Sequence, residues 1–188
     1  MSDVAPPALV IRPLRPGDES RRCARMMAAS EPWITLKRGY VESLAIVEGR
    51  DREVHVALED GELRGFLILN MAGAFAGYIQ TVCVAPEARS RGIGTRLVRF
   101  AEARVFRESP NVFLCVSSFN PRARALYRRL GYARVGELPD FLIPGHSEVI
   151  FRKTIGSFDE FKRRERPSKP SKRKLDDSGV RQASRKRD

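Results

Sequence analysis

The spacing of apolar positions changes period several times along the chain. A short run at residues 9–14, LVIRPL, followed by a Pro-Gly turn, reads as a first strand. Asp18 then stands where a helix N-cap is expected, ahead of ESRRCARMMAAS. A second helix is predicted with Pro32 near its start, where Ile34, Tyr40, Val41, Leu44 and Ile46 follow helical spacing loosely. From Val54 the period drops to two: Val54, Val56 and Leu58 alternate, and Asp60-Gly61 is a hairpin signal. LRGFLILNM and GYIQTVCVAP are two more strands, apolar enough to be covered on both faces. Ile93, Leu97, Phe100, Ala101 and Val105 mark one face of a helix, and NVFLCVSS is a strand. NPRARALYRRLG is a helix with its own punctuation: Asn120 as N-cap, Pro121 in the first turn, Gly131 at the end. YARVGEL and HSEVIFRK complete the set. The predicted order is β-α-α-β-β-β-α-β-α-β-β, one α/β domain with a mixed sheet over residues 1–156.

Residues 65–86 carry no charged side chain, which invites comparison with a membrane span of about 20 residues. Asn70, Gly73, Gly77 and Gln80 interrupt the stretch, and two buried strands joined by MAGAFAG account for it better, so no membrane contact is expected. The N-terminus has an acid and two prolines ahead of its first apolar run, unlike a secretory leader. Cys23, Cys83 and Cys115 form no spaced pattern, and reduced, buried thiols in a cytoplasmic protein are expected, with neither a disulfide frame nor a metal site.

The net charge of +12 is uneven. Twelve Lys/Arg against four acids lie in residues 161–188, so +8 of it belongs there. Leu175 and Val180 are the only large apolar residues beyond Phe161, too few to offset the entropy of ordering. Residues 157–188 are therefore expected to form a basic, disordered tail. Such a tail attracts nucleic acid or a ribosome weakly through phosphates, and it lacks interleaved aromatics to stack bases.

Candidate chemistry is concentrated in ARSRGIGTRLV, residues 88–98. Gly92 and Gly94 fall where a strand ends and a helix begins, so backbone N–H groups can approach an anion closely. The helix N-terminus favours negative charge, and Arg89 and Arg91 add to it. A dinucleotide-binding loop is the nearest rival, but Leu97 stands where its third glycine belongs. A plain glycine turn with solvated arginines is the alternative without function.

In context, VCVAPEARSRGIGTRLV resembles the acyl-CoA-binding motif of the GNAT superfamily of N-acetyltransferases, Arg/Gln-X-X-Gly-X-Gly/Ala, through Arg89, Gly92 and Gly94. SSFNPRARALYRRLGY is similar to the family's second element, and the resemblance covers residues 8–155. It implies a GNAT fold, with a mostly antiparallel seven-stranded sheet and about four helices. It also implies acetyl-CoA as cosubstrate, its pantetheine arm paired with the backbone of Val82, Cys83 and Val84. The N–H groups of Arg89, Ser90, Arg91, Gly92, Ile93, Gly94 and Thr95 would hold the pyrophosphate. Asn120 would touch the pantetheine or a nearby backbone group, and Tyr127 would protonate the departing thiolate. Read from the residues alone, Tyr127 lies with Ala123, Leu126 and Leu130 on one buried helix face, where packing is the simpler role.

The family's glutamate base is missing. In members that acetylate ribosomal-protein N-termini the position corresponds to Cys115, and in histone-type members it falls near Tyr78. Cys115 as an acyl-carrying nucleophile is the less ordinary reading of a strand-centre thiol. Glu31, His146, Glu148 and a water chain through Ser117 or Ser118 are the other candidates, His146 having the most suitable ordinary pKa. Glu31, Trp33 and Tyr40 are candidate acceptor-side residues, with Asp140 and Glu148 adding negative charge. This leans toward a small amine or a peptide N-terminus over a negatively charged acceptor. The expected activity is transfer of an acetyl group to a primary amine in a ternary complex. A CoA-binding regulatory module, anchored to nucleic acid or a ribosome through the tail, is the alternative. Monomer and dimer both remain open.

Overall fold

The structure is a computed structural model that describes residues 8–165. Its elements are β1 (Leu9–Pro13), α1 (Asp18–Ala28), α2 (Tyr40–Val47), β2 (Glu53–Glu59), β3 (Glu62–Asn70), β4 (Tyr78–Val84), α3 (Ile93–Val105), β5 (Asn111–Ser117), α4 (Pro121–Arg129), β6 (Ala133–Leu138), β7 (Glu148–Thr154) and α5 (Phe158–Glu165), with a single 3-10 turn, Pro86–Ala88, between β4 and α3. The seven strands form one sheet in the order β1-β2-β3-β4-β5-β7-β6, antiparallel throughout except for β4 and β5.

Each face of the sheet has its own core. On one side α3 buries Ile93, Leu97, Val98, Ala101 and Val105 against Leu67, Leu69, Val112 and Leu114. On the other, Cys23, Met27, Trp33 and Val47 pack on Val56, Phe66, Ile68 and Cys83. Burial of this apolar surface drives the fold. At Gly65 a Cβ would lie 2.7 Å from the Cys83 carbonyl oxygen and 3.3 Å from Leu97, so the residue lets β3, β4 and α3 close up.

The parallel pair β4–β5 is short. Only Tyr78↔Phe113 and Ile79↔Leu114 are in register, and the strands then part. A bulge in β4 accounts for this: Ile79 pairs with Leu69 and Thr81 with Ile68, leaving Gln80 as the extra residue. Such a bulge bends and twists the strand that carries it. β4 is thus only alternately buried, contrary to the expectation of two covered faces, because Tyr78, Gln80, Val82 and Val84 border the opening.

Other details depart from the sequence reading. Gly17, at φ 101, precedes α1, and Asp18 is its first residue and makes no capping bond; Glu19 instead takes the Arg15 N–H (2.8 Å) and pairs with Arg12. Pro32 does not open α2. Residues 31–37 form successive turns, closed by Leu36 N–H to Pro32 O (2.9 Å) and Arg38 N–H to Trp33 O (3.0 Å), which seat Trp33 in the core while Ile34 and Val41 face solvent. The expected tail begins with a fifth helix. Ser157 and Glu160 form a capping box, with Ser157 N–H on Glu160 Oε2 (2.9 Å) and Glu160 N–H on Ser157 Oγ (3.2 Å). Residues 166–188 lie outside the described ones. Among the described residues no helix is long and apolar enough to cross a membrane, and residues 65–86 form the two strands expected.

Gly77 tests the close packing at the paired end of β4 and β5, where its carbonyl accepts the Phe113 N–H (3.0 Å). It has φ +91, and a Cβ there would stand 2.5 Å from Val105 and 2.6 Å from the Asn111 carbonyl oxygen. Gly77→Ala is expected to destabilise by about 1–3 kcal/mol, lowering Tm by about 2–4 °C per kcal/mol, as measured by thermal unfolding.

Candidate functional site

Where β4 and β5 part, two cavities meet. The first, about 490 Å³, is lined by Val82, Cys83, Val84, the loop before α3, and Asn120, Ala123, Leu126 and Tyr127 of the α4 segment. The second, about 380 Å³, lies between β4, the end of β5, residues 31–38 and the β6–β7 loop. Glu31, Trp33, Val82, Asn120, Ala123 and Tyr127 border both.

The backbone equips the first cavity for an extended ligand. Ala85 N–H donates to Arg64 O (2.9 Å), so ladder alternation turns the polar groups of Val82 and Val84 away from β3, toward the gap. Arg89 takes up one of them, its Nε donating to Val84 O (3.1 Å) while its Nη2 donates to Ser30 Oγ (3.1 Å). The loop then turns through Ser90 at φ 63 and Gly92 at φ 82. The helical ladder starts with Arg96 N–H to Gly92 O (3.0 Å). Among the described residues nothing accepts a bond from the N–H groups of Gly92, Ile93, Gly94 or Thr95. A Cβ on Gly92 would meet no atom within 4 Å. Four free donors facing open space at a helix N-terminus fit a pyrophosphate. Arg122, bonded to Ser90 Oγ (2.7 Å), and Arg129 line the same cavity, neither of them marked by the sequence reading. Arg91 is not part of it. Its guanidinium is held by Glu59 at 2.8 Å, on the β2 side of the loop.

At the junction, Asn120 caps α4 by accepting the Ala123 N–H (3.1 Å), so its side chain has a structural role as well as a place on the wall. Tyr127 is buried, edge-on to Tyr132 (5.6 Å between ring centres), and its hydroxyl makes no hydrogen bond to the described residues. Burial pushes its pKa up, so the phenol is protonated at neutral pH and available as a donor.

The second cavity gathers Glu31, Trp33, Tyr78, Cys115 and Glu148 as candidates read from the sequence. Glu148 is buried, and Ser117 Oγ donates to it at 2.5 Å. Burial raises its pKa above the ordinary 4.5, against the opposing pull of the Ser117 bond and of Arg38. Burial likewise pushes up Cys115, which leaves a thiol and not a thiolate, a poor nucleophile. Cys83, on the same strand system, is pushed up to about 11 by burial, and all three cysteines are free. His146 and Asp140 do not reach either cavity: His146 packs edge-on against Phe119 (4.9 Å), and Asp140 accepts the Gly145 N–H (2.6 Å) to shape its own loop. Tyr40 is likewise remote from both cavities, its ring lying under Arg25 (5.9 Å). Arg38, Arg52, Gln80, Phe141 and Leu142 complete the wall without having been singled out beforehand. Among the described residues no His/Cys/Asp/Glu group is arranged to hold a metal ion.

Comparison with known proteins agrees with this architecture. The family model described as "Acetyltransferase (GNAT) family" matches residues 19–132. Blasticidin-S acetyltransferase from Streptomyces morookaense is 31% identical over 117 residues, 58% of this chain and 82% of that one. S-(2-succino)cysteine N-acetyltransferase from Bacillus subtilis (strain 168) is 30% identical over 115 residues, 56% of this chain and 68% of that one. Among solved structures, an aminoglycoside 6'-N-acetyltransferase complexed with coenzyme A superposes with a TM-score of 0.64 at 20% identity, over 79% of this chain and 98% of that one. With the family model spanning more than half of the sequence and the fold shared with solved relatives, the chain belongs to the GNAT family of acetyltransferases.

Proposed function

We propose that the chain moves an acetyl group from acetyl-CoA directly to a primary amine, with the two substrates bound side by side in the two cavities. The observation that carries this is their meeting at Tyr127, on the opening between β4 and β5. The pantetheine arm lies along β4 and bonds the free N–H and C=O of Val82, as an added strand would. The pyrophosphate rests on the N–H groups of Gly92 to Thr95. The solved relative with bound coenzyme A supports that assignment at the level of the fold. The relatives are named for acceptors unlike each other, so they support acetyl transfer and not a particular amine.

Positioning supplies much of the rate. The neutral amine nitrogen attacks the thioester carbonyl and a C–N bond forms. Collapse of the tetrahedral intermediate breaks the C–S bond, and the Tyr127 hydroxyl gives its proton to the departing thiolate. Glu148, directly or through Ser117 and water, takes the proton that the attacking amine sheds. A buried carboxylate whose pKa lies above the ordinary range is a better base than a solvated one.

Calorimetric titration with acetyl-CoA tests the cradle. A side chain at position 92 meets no atom within 4 Å, but φ +82 strains any residue with a Cβ, so the Gly92→Glu variant is first compared with wild type by thermal unfolding. It sets a negative charge on the pyrophosphate, and binding is expected to weaken at least about 100-fold; wild-type affinity in the variant would show that the loop holds no phosphate. Tyr127→Phe keeps the ring packing and removes only the donor. Its kcat is expected to fall about 100-fold, the low end of general acid catalysis, as read by thiol release. The acid limb of the kcat/KM profile reports the base: Glu148 must be ionised, so activity falls as pH drops through its raised pKa. Tyr78, Cys115 and Arg38 are its titratable or charged neighbours. Glu148→Gln is expected to remove that limb along with most of the rate; an unchanged limb would assign the titration to another group.

A further inference from the structure

The charges around the second cavity do not match an acceptor that is only an amine. Two carboxylates, Glu31 and Glu148, line it, and so do two guanidinium groups, Arg38 and Arg52. Arg52 is tied by one N–H to Ile46 O (2.7 Å), which fixes its position and leaves its other donors unassigned. Arg38 is half-buried, and among the described residues its side chain makes neither a hydrogen bond nor an ion pair. It influences Glu148 electrostatically without contacting it. Its backbone is held firmly: Arg38 N–H donates to Trp33 O (3.0 Å) at the end of the turns that seat Trp33 in the core. A half-buried guanidinium that lines a cavity and bonds to no protein group among the described residues can exchange water for a ligand's oxyanion. Its planar fork suits an oxyanion, such as a carboxylate or a phosphate.

We infer that the acceptor carries an anionic group beside its amine, and that Arg38, supported by Arg52, reads that group while Glu148 faces the amine. This rests on the second cavity being the acceptor side. The walls suit such a molecule, with Trp33, Leu36, Phe141 and Leu142 offering apolar cover between the charged ends. A polyamine would set its second ammonium against Arg38. A dianionic acceptor would meet Glu31 and Glu148. An amine and one oxyanion on a single small scaffold satisfy both sets, as in an amino acid or an aminoalkyl phosphate.

The test uses matched probes and the full chain. Phenylalanine is compared with 2-phenylethylamine, and O-phosphoethanolamine with ethanolamine, by thiol release with acetyl-CoA. Trp33, the single tryptophan of the chain, reports binding independently by its fluorescence. The anionic member of at least one pair is expected to be favoured about tenfold or more, the scale of one charge-assisted hydrogen bond. Which pair responds separates carboxylate from phosphate. In Arg38→Ala the preference within that pair is expected to collapse, and Arg38→Lys to restore part of it. A folding defect, or loss of a mere countercharge to Glu148, lowers both members alike and keeps the ratio, which overturns the inference. So does an equal or better response to the amines that lack an oxyanion, or no response to any probe. Acetyl-CoA binding is measured on the same samples: its loss indicts the cradle, whereas its retention with an unaltered ratio indicts only the role of Arg38.

Discussion

The parting of β4 from β5 is the constraint on which the site depends. A parallel pair that continued in register would close the sheet and satisfy its own backbone, leaving nothing for a ligand to bond. Two paired residues are enough to join the halves of the sheet. Beyond them the extra residue Gln80 turns β4 away, and the polar groups of Val82 are left without a partner among the described residues. The opening is therefore maintained by the course of β4 and by burial on either side, and it is bridged at its rim by Arg122 on Ser90 Oγ (2.7 Å). The loop after β4 then enters α3 with its first four N–H groups unspent, and α4 brings Tyr127 to the same gap from the other half.

Legibility in the sequence followed the locality of the signal. The glycine loop, the Asn120 cap and the Asp60-Gly61 turn are each dictated by a few neighbouring residues, and the structure has them where the sequence puts them. The order of all seven strands was readable for the same reason, since each is a short apolar or alternating run between turn residues. Elements governed by distant packing were harder. The segment around Pro32 looks helical because its apolar residues are suitably spaced, yet burying Trp33 between α1 and the sheet decides its path. Asp18 has the chemistry of a cap but not the position, because Gly17 takes the positive φ that enters the helix. The helix at Phe158 was missed although its S-x-x-E box is local, since the basic composition that follows it dominated the reading.

The site divides the same way. The first cavity is lined mainly by β4, the loop after it and α4; its glycine loop and Val82, Cys83 and Val84 were read from the sequence, Arg122 and Arg129 were not, and Arg91 lies outside it through its ion pair with Glu59. The second cavity is assembled from many separated segments, and periodicity gave no reason to bring Arg38, Arg52 and Phe141 to the wall that holds Glu148. The apolar pair Phe141-Leu142 inside a polar loop was the one available hint. Charge counted along the sequence suggested an acidic acceptor side; charge counted in space is balanced.

The capping box at Ser157 has a further consequence. β7 begins at Glu148, on the acceptor cavity, and runs to Thr154 at the far edge of the sheet, roughly 20 Å away at strand rise. Ile155 N–H is anchored there on Pro110 O (3.0 Å), and the box starts α5 three residues later. The α5 helix therefore starts on the side opposite the opening. A label placed at that start would leave the cleft free to exchange its contents with solution.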